Sequence, residues 1–301
     1  MNVNDAIEEY LSYIESVRTL SANTVTACRN DLEQFKLMPF IGSAREISSI
    51  ELEDLKQCVG FLSKKKRSAA TINRFISSVR SLFAYCRKFG HIKVNVALEF
   101  KTIKNPKKLP RFMTGAEIDR LCREPAVNEL LWEKRDRAIF EMLYSSGCRA
   151  SEIVSLTFED FNGDYSSAIV TGKGSKDRRV YFEDDAQKAL KAYLEDRKKR
   201  FGQSDKEPHI FVNQRGGALT TGGLRLIITR YSGSEGTKHH VSPHAFRHTF
   251  ATAMITNGAD VRMVQELLGH SSISTTQRYT HISTEKMIEM YNKAHPHGGT
   301  N

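Results

Sequence analysis

No apolar run in the chain approaches the length a helix needs to cross a membrane, so no transmembrane segment is expected. The first ten residues, MNVNDAIEEY, are acidic and amphipathic and lack the basic start and apolar core of a secretory leader. Cysteine is sparse. The five thiols, Cys28, Cys58, Cys86, Cys122 and Cys148, form no C-x-x-C pair and have no metal-ligand spacing with histidine. An odd count without a framework excludes a disulfide-stapled scaffold and fits a reducing, cytoplasmic setting. No nucleotide loop is present, because Gly172-Lys173-Gly174 lacks the Walker spacing. Clustered carboxylates of the kind two-metal phosphoryl transfer requires are also missing, so neither a metal nor a cofactor is expected. There is no internal repeat and no low-complexity stretch.

What is present is basic and helical. The 301 residues, room for one large or two medium domains, carry a net charge of +10, which points to a polyanionic partner, and 40% are hydrophobic, ample for a core. The charge is divided unevenly: four basic and ten acidic residues up to Leu55, then fourteen basic residues and one acid, Glu99, from Lys56 to Lys108. So one-sided a run reads as a phosphate-tracking surface. It offers Lys64, Lys65, Lys66 and Arg67 in a loop, and Arg74, Arg80, Arg87 and Lys88 on a helix, off its apolar stripe.

Helical periodicity organises the same region. Ile7, Tyr10, Leu11, Ile14 and Val17 make one stripe, Ser21 is placed to cap a second helix through Phe35, and Ser48 with Glu51 matches a capping box for a third. The fourth stripe is Ile72, Phe75, Ile76, Val79, Leu82, Phe83 and Cys86, with Gly90 after it. Four helices joined by short loops make a small bundle. Residues 105–110, with Pro106, Lys107, Lys108 and Pro110, read as a linker whose lysines suit a DNA backbone. A capping box at Thr114–Glu117 then opens a second unit. There, 168–171 and 178–182 read as two strands around a glycine-containing turn, and 209–213 as a further short strand. The expected fold is mainly α with a small β-sheet: a four-helix unit over 1–104, a linker over 105–110, and an α+β unit over 111–301 with a frayed tail from His295.

The densest chemistry lies between Ser242 and His281. Ser242-Pro243 reads as an N-cap and first turn, which sets His244 at a helix N-terminus where backbone N–H groups favour an anion. Arg247, three residues on, shares its face. A helix from Asp260 to Leu268, with Val261, Val264, Leu267 and Leu268 on one side, ends at Gly269, fixing His270 at a corner. Tyr279 follows nine residues later. Taken singly, each is an ordinary residue: a lone histidine is a core or surface group, as His248 is read to be, and most tyrosines are packing residues. Together they supply a phosphate clamp, two imidazoles and a phenol.

His244-x-x-Arg247, Leu267-Leu268-Gly269-His270 and Tyr279 resemble the C-terminal motifs of tyrosine site-specific recombinases, the phage integrase family, and among them the Xer type. Tyr144-Ser145-Ser146-Gly147-Cys148-Arg149-Ala150-Ser151-Glu152 resembles that family's first arginine box, and Gly172-Lys173-Gly174-Ser175-Lys176 its hairpin lysine. The resemblance covers nearly the whole chain. It implies an N-terminal core-binding domain, a catalytic domain, and a C-terminal helix at about 283–294, with Met287, Ile288 and Tyr291 on one face, donated to a neighbouring subunit.

The residue types suit that chemistry. Arg149 and Arg247 can neutralise the non-bridging oxygens of a phosphodiester. Tyrosine is a weak nucleophile at neutral pH and needs help. Tyr279 would attack, with His244 as base, His270 as donor to the phosphate and Lys173 as acid for the leaving 5′ oxygen. Glu152 either braces Arg149 or forms a surface salt bridge. A 3′-phosphotyrosine keeps the phosphodiester energy, so no ATP is needed. The implied partners are double-stranded DNA with a specific recombination site and other subunits, as a homotetramer or with a paralogue. Integration or transposition of a mobile element uses the same motifs. A type IB topoisomerase-like relaxase and a DNA-binding protein with a dead site are the readings from other classes.

Overall fold

In the computed structural model the described residues are 1–104, 113–127, 131–172, 176–202, 207–233, 241–269 and 284–296. The chain divides into two compact units, Met1–Lys108 and Leu109–Asn301. The linker expected at 105–110, with Lys107 and Lys108, lies outside the described residues.

The first unit holds α1 (Val3–Ser16), α2 (Ala22–Lys36), α3 (Leu52–Lys64) and α4 (Ala69–Lys88). Side-chain oxygens start three of them: Asn2, Ser21 and Ser68 each accept a backbone N–H from the first turn, satisfying donors that have no partner inside the helix. The start of α3 differs from the sequence expectation. Ser48 belongs to a 3₁₀ turn, Ile47–Ser49, and the capping box is Glu51 with Asp54. Asp54 accepts the Glu51 N–H at 2.9 Å and pairs with Arg45 at 2.8 Å, so the carboxylate with two partners sets the boundary. Ile7, Tyr10, Leu11 and Ile14 are buried as expected, but Val17 lies past the end of α1 and is 67% exposed. All seven stripe residues of α4 are buried, packing with Phe35 and Leu32 of α2. Each such side chain contributes about 1.5–3 kcal/mol of transfer free energy.

The second unit is built around α6 (Glu133–Ser146), in which every residue from Ala138 to Ser146 is buried. Before it comes α5 (Gly115–Val127), opened by the Thr114–Glu117 box: the Thr114 N–H donates to Glu117 at 2.9 Å and the Glu117 N–H returns to Thr114 Oγ1. Then follow α7 (Ala150–Ser155), the antiparallel pair β1 (Ser167–Thr171) and β2 (Asp177–Tyr181) with Ser167 opposite Tyr181, α8 (Asp184–Phe201), α9 (Thr221–Gly233), α10 (Pro243–Thr256), α11 (Val261–Leu268) and α12 (Thr284–Ala294). No strand forms at 209–213. His209 and Val212 make single bridges to Thr157 and Ala218, and the guanidinium of Arg197 occupies the carbonyls of His209 and Ile210. The five cysteines are free and buried.

Residues 297–301 lie outside the described residues; His295, where a frayed tail was expected to begin, is packed. That ring is 2% exposed and lies against Tyr144, Phe250 and Tyr291, with Nδ1 3.6 Å from Glu183. Burial, with Glu141 nearby, pushes the Glu183 carboxyl up to about 8. Tyr291 of α12 is 3% exposed; its hydroxyl bonds both the Oγ and the carbonyl of Ser145, and its ring meets Tyr181. In this chain α12 therefore packs in cis at Tyr291, while Ile288 is 38% exposed and free for another surface. Tyr291→Ala removes a buried aromatic and should cost roughly 3–5 kcal/mol. Thermal unfolding of the variant measures this; an unchanged midpoint would contradict the cis packing.

Candidate active site

The last turn of α11 collects the site. Its final carbonyls have no partner within the helix and lie at the negative end of the helix dipole. Three guanidinium groups take three of them in succession: Nε of Arg178 donates to Leu267 O at 2.8 Å, Nη2 of Arg247 to Leu268 O, and Nη2 of Arg149 to Gly269 O at 3.4 Å. Arg247 also donates to Gly147 O at 2.8 Å. The two glycines at this junction are required by conformation. Gly147 ends α6 at φ +60°, and a Cβ there would sit 2.5 Å from the Phe250 ring; Gly269 ends α11 at φ +62°, 3.0 Å from Arg178 Cδ.

Arg149 is the N-cap of α7, with a carboxylate placed one turn on to receive it. Glu152 accepts the Arg149 N–H at 2.7 Å and its Nη1 at 2.6 Å. The same carboxylate takes Arg178 on both oxygens, at 2.8 and 2.9 Å. Its side chain is 2% exposed and lies between the guanidinium groups of Arg149 and Arg178. Burial alone would raise this carboxyl; the Arg178 guanidinium and the Arg149 backbone N–H outweigh it and hold the group at about 2.

That shift has a sign. The folded carboxyl lies below its ordinary 4.5, so its stabilisation is complete above pH 4.5 and is lost as pH falls toward 2. Glu152→Gln should lower stability at neutral pH by on the order of 3 kcal/mol, leaving buried guanidinium groups uncompensated. The difference between wild type and variant should shrink between pH 4.5 and 2 in urea titrations; a difference independent of pH would sink this assignment.

Arg178 was not among the residues expected from the sequence. Its signal there is weak, one of two adjacent arginines on β2, but only one of the pair can face inward on a strand. Arg247 carries the opposite burden from Glu152: burial, then the nearby Arg149 and Arg178, lower its guanidinium to about 10. It remains a cation at neutral pH, in a place that favours a further anion.

His244 is exposed in the first turn of α10, one turn before Arg247. Ser242 is the N-cap there without a side-chain bond, and Pro243 fills the first position. Lys173 lies outside the described residues, but the base of its hairpin is fixed: the Gly172 N–H donates to Lys176 O at 2.8 Å, and a Cβ on Gly172 would lie 3.7 Å from both Arg149 Nη1 and Glu152 Oε1. His270 and Tyr279 also lie outside the described residues; Gly269, immediately before His270, is part of the arginine cluster. Two other tyrosines are withdrawn from solvent. Tyr144 and Tyr291 are 2% and 3% exposed, and burial raises both phenols.

In the first unit, Lys64 is the last residue of α3 and Lys65 to Arg67 follow it, all exposed, with Lys65 Nζ over the Phe61 ring. Arg80 and Arg87 are exposed on α4. Lys88 donates to the Tyr13 hydroxyl, and Arg74 is tied to Asp31.

Residues 111–286 match the phage integrase family, and residues 7–89 match the N-terminal SAM-like domain of phage integrases. The chain is 40% identical to tyrosine recombinase XerC of Treponema denticola, over 98% of this chain and 100% of that one. It is 35% identical to tyrosine recombinase XerD of Lacticaseibacillus casei, over 97% and 99%. Among solved structures, the Tn1549 transposon integrase in complex with circular intermediate DNA shares the fold, with a TM-score of 0.72 at 21% identity, covering 95% of this chain and 97% of that one.

Proposed function

The chain belongs to the phage integrase family, as a tyrosine recombinase of the Xer type that cleaves and rejoins DNA strands, and from that premise we infer a residue-level mechanism and a role in resolving dimers of chromosomes or plasmids. The observation that carries the mechanism is the convergence of Arg149, Arg178 and Arg247 on the end of α11 with a single carboxylate, Glu152, among them. A scissile phosphate supplies the anion that this cluster lacks. Arg149 and Arg247 neutralise its non-bridging oxygens, and Glu152 with Arg178 holds Arg149 in place.

Tyr279 attacks phosphorus, forming a 3′-phosphotyrosine and releasing a 5′ hydroxyl. His244 receives the phenolic proton, His270 donates a hydrogen bond to the phosphate, and Lys173 protonates the departing oxygen. Reversal of the step with another strand's 5′ hydroxyl rejoins the DNA without ATP. The residues of 1–104 bind the core site and those of 111–301 carry the chemistry. Lys64 to Arg67, Arg80, Arg87, Lys88, Lys107 and Lys108 track phosphates.

Recombination needs two sites and four active subunits, as a homotetramer or with a paralogue. Relatives bearing the names XerC and XerD both match at full length, which favours the paired arrangement and the dimer-resolution role over mobile-element integration. In such an assembly α12 leaves its cis seat and docks on a neighbour. The setting is cytoplasmic. The test is a supercoiled plasmid bearing two directly repeated copies of the bound site: resolution into two circles without ATP is expected. Relaxation alone would point to a topoisomerase, and binding without strand passage to a dead site.

A further inference from the structure

Asp31 on α2 and Arg74 on α4 form a pair whose two ends differ in exposure. Arg74 Nε donates to Asp31 Oδ2 and Nη2 to Oδ1, both at 3.0 Å, and Ser78 Oγ donates to Oδ2 at 3.0 Å. The carboxylate side chain is 3% exposed and the guanidinium side chain 54%. The acid is thus sunk in the unit with three donors on it, while the cation reaches into solvent.

This geometry leaves a defined part of the guanidinium available. Of its five N–H donors, the side-on pair consumes one from Nε and one from Nη2. The remaining donors include the end-on fork, one N–H each from Nη1 and Nη2, on a side chain that is 54% exposed. Because Nε and Nη2 are clamped, the fork has a fixed direction, which a surface arginine otherwise lacks.

A phosphate is a poor occupant for that fork. It would set a second anion against a cation that Asp31 already neutralises, and the two anions would repel across one guanidinium. A neutral pair of acceptors meets no such opposition. In the major groove, guanine presents O6 and N7 as two adjacent acceptors that match an arginine fork, and the groove is wide enough to admit a helix. The face of α4 beside Arg74 suits close approach, since its exposed neighbours one and two turns on are Ser77 and Ser81. A cavity of about 420 Å³, lined by Arg18, Asn23, Ser77 and Ser81, opens next to Arg74. Arg80 and Arg87, on the same helix, have no carboxylate partner among the described residues and are the groups fit for phosphates.

We propose that Arg74 reads a guanine through the major groove of the bound half-site, with Asp31 as the positioning residue that aims its fork. This rests on the reading that the first unit binds DNA. The role differs from backbone tracking, because it confers a base preference and little salt dependence.

The experiment begins by selecting duplexes from a randomised pool with the full-length chain. Affinities are then measured for every single-base-pair change in the selected site, across a salt series. Wild type should prefer one G·C pair by about tenfold or more over the alternatives. Arg74→Ala and Arg74→Lys should flatten that preference, leaving the other positions and the slope of log affinity against log salt unchanged. Asp31→Asn frees a charged, unaimed guanidinium, so the preference should weaken while the salt slope steepens by about one ion. Arg80→Ala should weaken all sites evenly and reduce the slope by about one. A uniform loss with a reduced slope in Arg74→Ala would make Arg74 a phosphate contact and overturn the proposal. Unchanged base preferences with a lowered melting temperature would make the pair purely structural, and Arg74→Lys, which keeps the charge, guards against a variant that simply unfolds. If wild type enriches no sequence at all, the DNA-site reading falls as well.

Discussion

Arg247→Ala should slow strand cleavage by about 10²–10³-fold while leaving site binding within a few fold, as removal of one preorganised donor to a developing oxyanion does elsewhere. The effect is electrostatic. Among the described residues Arg247 has no hydrogen-bonded carboxylate; its bonds go to the carbonyls of Gly147 and Leu268, and burial, then Arg149 and Arg178, lower its guanidinium to about 10. In the free protein it is a half-buried cation beside two others, and among the described residues its hydrogen bonds go to backbone carbonyls. That arrangement is poor for stability and suited to an anion that arrives with the substrate. Single-turnover cleavage under saturating protein separates the two effects: a loss in affinity with an unchanged cleavage rate constant would assign Arg247 to ground-state binding alone.

Much of the architecture could be read from local signals. The α4 stripe, the Thr114–Glu117 box, the strands on either side of Gly172 and the Gly269 helix stop depend on neighbours within a turn or two, and each appears where periodicity or capping placed it. The differences arise where distant groups decide. Asp54 moved the start of α3 because Arg45 holds it, and Arg197 occupied the carbonyls that a strand at 209–213 would have needed. Val261 follows the helical spacing of Val264 and Leu268 yet is 50% exposed, because the first turn of α11 extends past the cluster that buries the rest.

The site was legible as a set of residue types and obscure as a network. The arginine box and the His-x-x-Arg spacing identify Arg149 and Arg247, but not that both reach the carbonyls closing α11. Arg178 carries little local signal because its partners, Glu152 and Leu267, lie 26 and 89 residues away. The chain end is a similar case. Tyr291 lies on an apolar face suited to a neighbour, yet Ser145 and Tyr181 receive it within the same chain. Removal of everything after Ser283 therefore tests two things at once, loss of a buried core residue and loss of a docking helix, which is why the single substitution Tyr291→Ala is the cleaner probe of the first.

We propose that Tyr279 becomes joined to the 3′ phosphate of the cleaved strand. Tyr279→Phe deletes one oxygen and keeps the ring, so folding and site binding should stay close to wild type, while covalent capture should fall to zero; Tyr144 and Tyr291 are buried with raised phenols and should not replace it. The measurement uses a duplex site nicked just 3′ of the scissile phosphate, so that the short 5′-hydroxyl fragment diffuses away and the adduct cannot religate. Wild type should give a protein–DNA band that survives denaturation, with the 3′ end of the strand blocked, and Tyr279→Phe should give none. A denaturation-resistant adduct formed by Tyr279→Phe, or attached to a 5′ end in wild type, would contradict the account.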